Sequence, residues 1–291
     1  MENIRGATIM VLAMLGFAIE DAVIKLLAGA LPIGQIIGLL GIGGASVFAL
    51  LCRARKEALW HPDFLARSVL LRNLAELFGT LGFVTAIALI PLSTASAILQ
   101  AAPLLVTLGA AVFLHEPVGW RRWAAILVGF FGVLLIIRPG TEGFNWLSLF
   151  AVQGVVGLAI RDLATRRVSF TISSMQLSFL AFLMLIPAAL ILLAFGGVAP
   201  VMPTAPQSGL IGAAVLIGAI SYFGITYAMR VGEIGFVTPF RYSRMIFALF
   251  IGLTVFGENP DALTLIGAGI IVTSGLYTLW RERIVKSVAT A

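Results

Sequence analysis

Gly16-Phe17-Ala18-Ile19-Glu20-Asp21 returns as Gly157-Leu158-Ala159-Ile160-Arg161-Asp162, 141 residues later. The register extends outward in both copies. Lys25 falls on Arg166 and Gln35 on Gln176; at an offset of 142, Gly82 falls on Gly224, Ala86 on Ala228, and His115-Glu116-Pro117 on Gly257-Glu258-Asn259. Self-similarity at one fixed shift marks a duplicated unit, here with domains over 1–140 and 141–291.

The residues around this repeat are oily. Of 291 residues, 60% are hydrophobic and 11% charged, and mean hydropathy is +1.08. A soluble chain of this length would carry about 25% charged residues to cover its core, so the composition excludes a soluble domain and points to a polytopic membrane protein. Crossing the hydrocarbon takes about 20 apolar residues. Cutting the chain at charges, prolines and turns leaves ten such segments: Gly6–Ala28, Pro32–Cys52, Ser68–Ile90, Pro91–Leu114, Arg121–Arg138, Trp146–Thr165, Ile172–Phe195, Ser208–Arg230, Phe236–Phe256 and Ala262–Arg281. The fold class expected is therefore all-α integral membrane, ten transmembrane helices in two five-helix halves. Five is odd, so the second copy enters the membrane from the opposite side and the repeats are inverted. The first segment carries Glu20 and Asp21 and is longer than a signal-peptide core, so it reads as a span rather than a cleaved leader.

Orientation follows from Lys and Arg. With a cytoplasmic N-terminus, thirteen basic residues, among them Arg53, Arg55, Arg121, Arg166 and Arg281, fall in inner loops and tails and only Arg138 lies outside. Both ends are expected in the cytoplasm and the chain in the inner membrane. The net charge of +6 is thus a matter of orientation rather than of nucleic-acid binding. One cysteine, Cys52, makes no internal disulfide, and His61 and His115 are too few and too separate for a metal site. No cofactor is expected, and no P-loop stretch occurs.

Inverted repeats are common in secondary transporters, whose two halves build a site near the midplane. The passage Phe113-Leu114-His115-Glu116-Pro117 with Gly129, Gly132 and Val133-Leu134-Leu135, repeated as Val255-Phe256-Gly257-Glu258-Asn259 with Gly267 and Gly275-Leu276-Tyr277, makes the chain resemble the EamA family of the drug/metabolite transporter superfamily over nearly its whole length. The resemblance implies a carrier of a small polar metabolite, such as a vitamin, an amino acid or a nucleoside-like compound, without ATP. Within it the chain looks nearest to riboflavin or S-adenosylmethionine carriers, although no residue separates those substrates. A proton or other ion is the expected coupling partner, and a homodimer is compatible. Two rival classes are a flippase for lipid or lipid-linked substrates and an integral-membrane enzyme. The enzyme would need an activated nucleophile, a metal set or an acid/base pair near an interface, and the two histidines with scattered carboxylates offer none.

Charges inside the spans direct attention to a site. Each Arg, Lys or Asp at a helix centre costs about 2.5–3.5 kcal/mol on an insertion scale, so Glu20, Asp21, Lys25, Arg72, Glu76, Arg161, Asp162, Arg241 and Arg244 must pair or face a cavity. Lys25 and Arg72 lie near span ends and could snorkel; Arg72 and Glu76 could pair at i, i+4. Positions alike in both copies, Asp21 with Asp162 and Glu116 with Glu258, suggest shared structural roles, the glutamates favouring a helix start. Positions that differ suggest specificity. Arg241, Tyr242 and Arg244 stand where the first copy has Leu99, Gln100 and Ala102. Arginines three apart share a helical face and could hold planar oxygen pairs, or else ion-pair permanently with Glu20, Asp21 or Glu76. The expected substrate-binding residues are Arg241, Arg244, Tyr242, Gln100, Arg161, Asp21 and Tyr227, with Glu20, Glu76 and Asp162 as proton-coupling candidates; fixed salt bridges and ordinary aromatic packing are the competing readings.

Overall fold

The computed structural model describes residues 2–115, 119–231 and 234–289, and among them every regular element is a helix. Among the described residues, nine stretches are long and apolar enough to cross a membrane. They are α1 (Glu2–Ala28), α2 (Ile33–Ala54), α3 (Arg67–Leu89), the pair α4 (Leu92–Leu99) and α5 (Ala102–Phe113), α6 (Trp120–Ile137), α7 (Ser148–Thr165), α8 (Ser174–Gly196), α9 (Ala205–Val231) and α12 (Ala262–Ala289). These overlap nine of the ten segments expected from sequence.

The remaining segment, Phe236–Phe256, is broken into α10 (Ile234–Val237), a 3-10 turn over Thr238–Tyr242 and α11 (Ser243–Val255). Pro239 explains the break, because it cannot donate a backbone hydrogen bond and crowds the carbonyl four residues back. Its counterpart in the first copy breaks between α4 and α5, just before Pro103. The two broken stretches meet: Gln100 Nε2 donates to the Tyr242 carbonyl at 3.0 Å. Gln100 and Tyr242 are repeat equivalents, so the contact lies where the two copies exchange places.

The packing has the symmetry of the sequence repeat. α1 lies against α9 as α7 lies against α3, while α2 pairs with α8 and α6 with α12. Small residues set these crossings. A Cβ on Gly157 would overlap the Gly79 backbone, and one on the equivalent Gly16 would overlap the Ser221 hydroxyl. Gly132 and Gly267 bring α6 and α12 together, each leaving a Cβ only 2.7 and 2.6 Å from the other's carbonyl oxygen. Gly34 and Gly38 do the same for α2 against Ala189 of α8. Where lipid is as apolar as leucine, such close backbone approach is a main source of helix association.

The repeated glutamines are clamps. Gln35 holds Val201 by Nε2 to its carbonyl at 2.6 Å and accepts its amide at 2.9 Å. Gln176 holds the Ala58 carbonyl at 2.7 Å and closes a capping box with Ser173 at the start of α8. Each copy thus ties down a loop of the other. At the start of α12, Asp261 accepts the Thr264 amide at 2.8 Å and binds Arg138, which holds its carboxyl down at about 2.

Gly82 tests this account of the crossings. A Cβ there would lie 2.6 Å from Gly154 N and Phe150 O, backbone atoms that cannot step aside. Gly82→Leu is expected to abolish monodisperse protein in size-exclusion chromatography. Gly209→Leu, at a position with open space, should elute like the parent; equal elution of both variants would remove the steric argument.

Candidate functional site

Four helices and the 3-10 turn bring the intramembrane charges together. α3 supplies Arg72 and Glu76, α7 supplies Arg161 and Asp162, α1 supplies Glu20 and Asp21, the 3-10 turn supplies Arg241 and α11 supplies Arg244. Arg161 joins two carboxylates, with Nη1 3.2 Å from Glu76 Oε1 and Nη2 2.8 Å from Asp162 Oδ1. Arg72 lies 3.6 Å from Glu76 Oε2 and donates to Tyr222 Oη at 3.0 Å. Arg72 is 2% exposed, so it does not snorkel: its place along the helix says it is near an end, but its face points inward.

Arg244 binds Asp21 through Nη2 at 2.6 Å and Nε at 3.2 Å, with its guanidinium flanked by Phe17 and Phe83 at 5.2 and 5.4 Å. Both hydrogen bonds go to one oxygen of Asp21, Oδ2. Arg241 is held differently. It lies 3.8 Å from Asp162 Oδ2, beyond hydrogen-bond reach, and its side chain is 29% exposed. Glu20 has no hydrogen bond or ion pair with any described residue and rests against Gly218 of α9.

The other expected site residues lie apart from these charges. Tyr242 is buried with its hydroxyl against Gly275 and without a hydrogen-bond partner. Gln100 is spent on the Tyr242 carbonyl. Tyr227 stacks on Phe223 at 6.1 Å, beneath Arg5 at 5.7 Å. Hence Arg161, Glu76, Asp162 and Arg241 are brought together with Arg72, and Asp21 with Arg244 forms a second pair beside Glu20, whereas Tyr242, Gln100 and Tyr227 take no part in these ion pairs.

A second polar feature joins the two copies at the end of the bundle where α1 finishes. Lys25 Nζ donates to the carbonyls of Ile90 at 2.5 Å and Ile87 at 3.2 Å, at the C-terminus of α3, and lies 3.7 Å from Glu258 Oε1. Glu258 in turn accepts the Leu92 amide at 2.5 Å, the Ser93 amide at 2.9 Å and the Ser93 hydroxyl at 2.7 Å. A cation sits at one helix C-terminus and an anion at the next helix N-terminus, both favourable with the backbone dipoles. Glu258 therefore occupies a helix start, but that of α4 in the other copy. Glu116, its repeat equivalent, lies outside the described residues. Sequence reasoning gave this latch no functional part. The signal was available, since both copies keep a cation at 25 and 166 and a carboxylate at 116 and 258.

An apolar recess of about 320 Å³ lies between the first turns of α1 and the broken segment, lined by Ile4, Ala7, Thr8, Val11, Leu12, Phe236 and Phe240. No charged residue lines it. Among the described residues no three His, Cys, Asp or Glu side chains converge on a metal-sized space.

The profile of the EamA-like transporter family matches the chain twice, over residues 4–138 and 145–280. The chain belongs to this family. EamA-like relatives include an S-adenosylmethionine uptake transporter of Rickettsia felis, 27% identical over 74% of this chain and 72% of the relative. A riboflavin transporter of Vibrio cholerae is 31% identical over 67% and 65%. A pseudopaline exporter of Pseudomonas aeruginosa is 28% identical over 92% and 94%. A solved crystal structure at 20% identity aligns over 96% of this chain and 98% of its own with a TM-score of 0.67, which shows a shared fold. An EamA-like transporter with this many apolar helices is a multi-pass membrane protein.

Proposed function

We propose that this EamA-like chain is a secondary active transporter that moves a small polar organic solute across the inner membrane by alternating access. The broken stretch between α9 and α12 serves as a tenth span, and the two five-span halves, 1–140 and 141–291, are inverted with both termini cytoplasmic. The observation that carries this reading is the charged group between the halves, in which Arg241 is the most exposed of the four arginines, at 29% against 3–16%, and reaches its carboxylate only at 3.8 Å. A guanidinium so placed can take the carboxylate or another planar oxygen pair of a solute. The named substrates of the relatives, S-adenosylmethionine, riboflavin and pseudopaline, support a small organic solute.

The latch of Lys25, Glu258 and the α4 N-terminus supplies the closed end that alternating access requires. If a proton couples to transport, Glu20 is the carboxylate that can take it without breaking an ion pair; Glu76 and Asp162 both hold Arg161. The apolar recess contains none of these groups, so it gives no headgroup site for a lipid flippase. In proteoliposomes, a metabolite mixture should show uptake of at least one member driven by a solute or ion gradient, and Arg241→Ala should lower that uptake at least tenfold. Absence of movement under every gradient would rule the reading out.

A further inference from the structure

Two repeat-equivalent crossings differ in one detail. Where α7 crosses α3, Arg161 pairs with Glu76 at 3.2 Å. Where α1 crosses α9, the place of Arg161 is taken by Glu20, and the place of Glu76, 142 residues on in the register that aligns Gly82 with Gly224, is taken by Gly218. The rest of the crossing is preserved, with Gly16 facing Ser221 as Gly157 faces Gly79. An ion pair in one copy is thus reduced to a single carboxylate in the other. Glu20 lies so close to the bare Gly218 backbone that a Cβ there would meet its Cδ at 2.7 Å. Tyr222, one turn further along α9, accepts from Arg72, so Glu20 borders the same charged group.

The remaining charges are committed. Asp21 takes Arg244, and Glu76 and Asp162 take Arg72 and Arg161. What is left is one cation, Arg241, in a loose 3.8 Å contact, and one carboxylate, Glu20, with no ion pair or hydrogen bond among the described residues. Removing a charge from water costs several kcal/mol unless a partner compensates it. A single ligand that compensates both must carry an anionic and a cationic group.

We infer that Glu20 is the cation-binding pole of the substrate site, opposite Arg241, and that the transported solute is a zwitterion whose cationic nitrogen or sulfur meets Glu20. This deepens the proposed function and rests on it. Gly218 belongs to the same pole, because only a residue without Cβ lets the carboxylate lie against α9.

The test is a thermal-shift titration of the detergent-solubilised chain with four sets of metabolites: zwitterions, anions without a cationic group, cations and neutral compounds. Sodium chloride against choline chloride forms a separate arm. Stabilisation by zwitterions is expected, with affinity at least tenfold weaker in Glu20→Gln and also reduced in Gly218→Ala, which keeps the charge but displaces it. Parent-like affinity of zwitterions for Glu20→Gln, a preference for anions lacking the cationic group, or a sodium shift that accounts for the whole effect would overturn the inference while leaving the transporter reading intact. Failure of all four sets to bind, together with no transport in liposomes, would overturn both.

Discussion

Arg244→Ala is expected to destabilise the protein by about 3–5 kcal/mol, the cost of leaving a buried charge without its partner. Asp21 is 4% exposed and has Arg244 as its cationic partner, at 2.6 Å. Truncation also removes the cation from between Phe17 and Phe83, where such contacts contribute about 0.5–2 kcal/mol. The double variant Asp21→Asn, Arg244→Met should recover most of the loss, since the penalty belongs to the orphaned charge and not to the missing pair. Arg241→Ala should behave in the opposite way. Asp162 keeps Arg161 at 2.8 Å, and the partly exposed 3.8 Å contact of Arg241 is worth no more than about 1 kcal/mol. The melting temperature of Arg241→Ala should stay near the parent's while ligand-induced stabilisation disappears. Equal melting temperatures for the parent and Arg244→Ala, or equal losses in the two single variants, would refute the division of labour between the arginines.

That division could not be read from the sequence, and the reason is geometric. Spacing by three places Arg241 and Arg244 on one face of a continuous helix. The chain is not a continuous helix there: Pro239 forces a 3-10 turn that ends at Tyr242, and α11 begins at Ser243. The two guanidiniums consequently reach different carboxylates on different helices. The same break turns Tyr242 toward Gly275 and away from the charges. By contrast, the spans and the duplication were legible because the bilayer leaves little choice. Apolar runs of about 20 residues must be helices that satisfy their own backbone groups, and glycines repeated at one offset, such as Gly16 with Gly157, mark equivalent crossings. The repeated Asp21 and Asp162 each bind an arginine, Arg244 and Arg161. Pairings between the copies were out of reach, because Glu258 and Ser93 are 165 residues apart and hydropathy carries no information about which helix start a loop carboxylate will cap.

Glu258→Gln is expected to open the end of the bundle where α1 finishes. The carboxylate accepts two amides and a hydroxyl with its two oxygens and faces Lys25. The amide keeps one acceptor oxygen, presents its NH₂ to a backbone N–H, and offers Lys25 no charge. Hydrogen bonds to a charged group contribute about 1.5–3 kcal/mol each. A net loss of about 2 kcal/mol, at 1.4 kcal/mol per factor of ten, would raise the population of the unlatched state roughly thirtyfold. Ser96, one turn into α4 from Ser93 and 1% exposed, reports on this directly. In a Cys52→Ala background, Ser96→Cys should react slowly with a membrane-impermeant thiol reagent and about thirtyfold faster once Glu258→Gln is added. Lys25→Met should accelerate labelling in the same direction, because it frees the Ile87 and Ile90 carbonyls and removes the cation beside Glu258. The stability of the folded chain should fall by no more than the same loss of about 2 kcal/mol, since the crossings at Gly82, Gly132 and Gly157 do not involve the latch. Unchanged labelling in both variants would mean that Glu258 only caps α4, and the closed end would then have to be sought in the packing of the helices themselves.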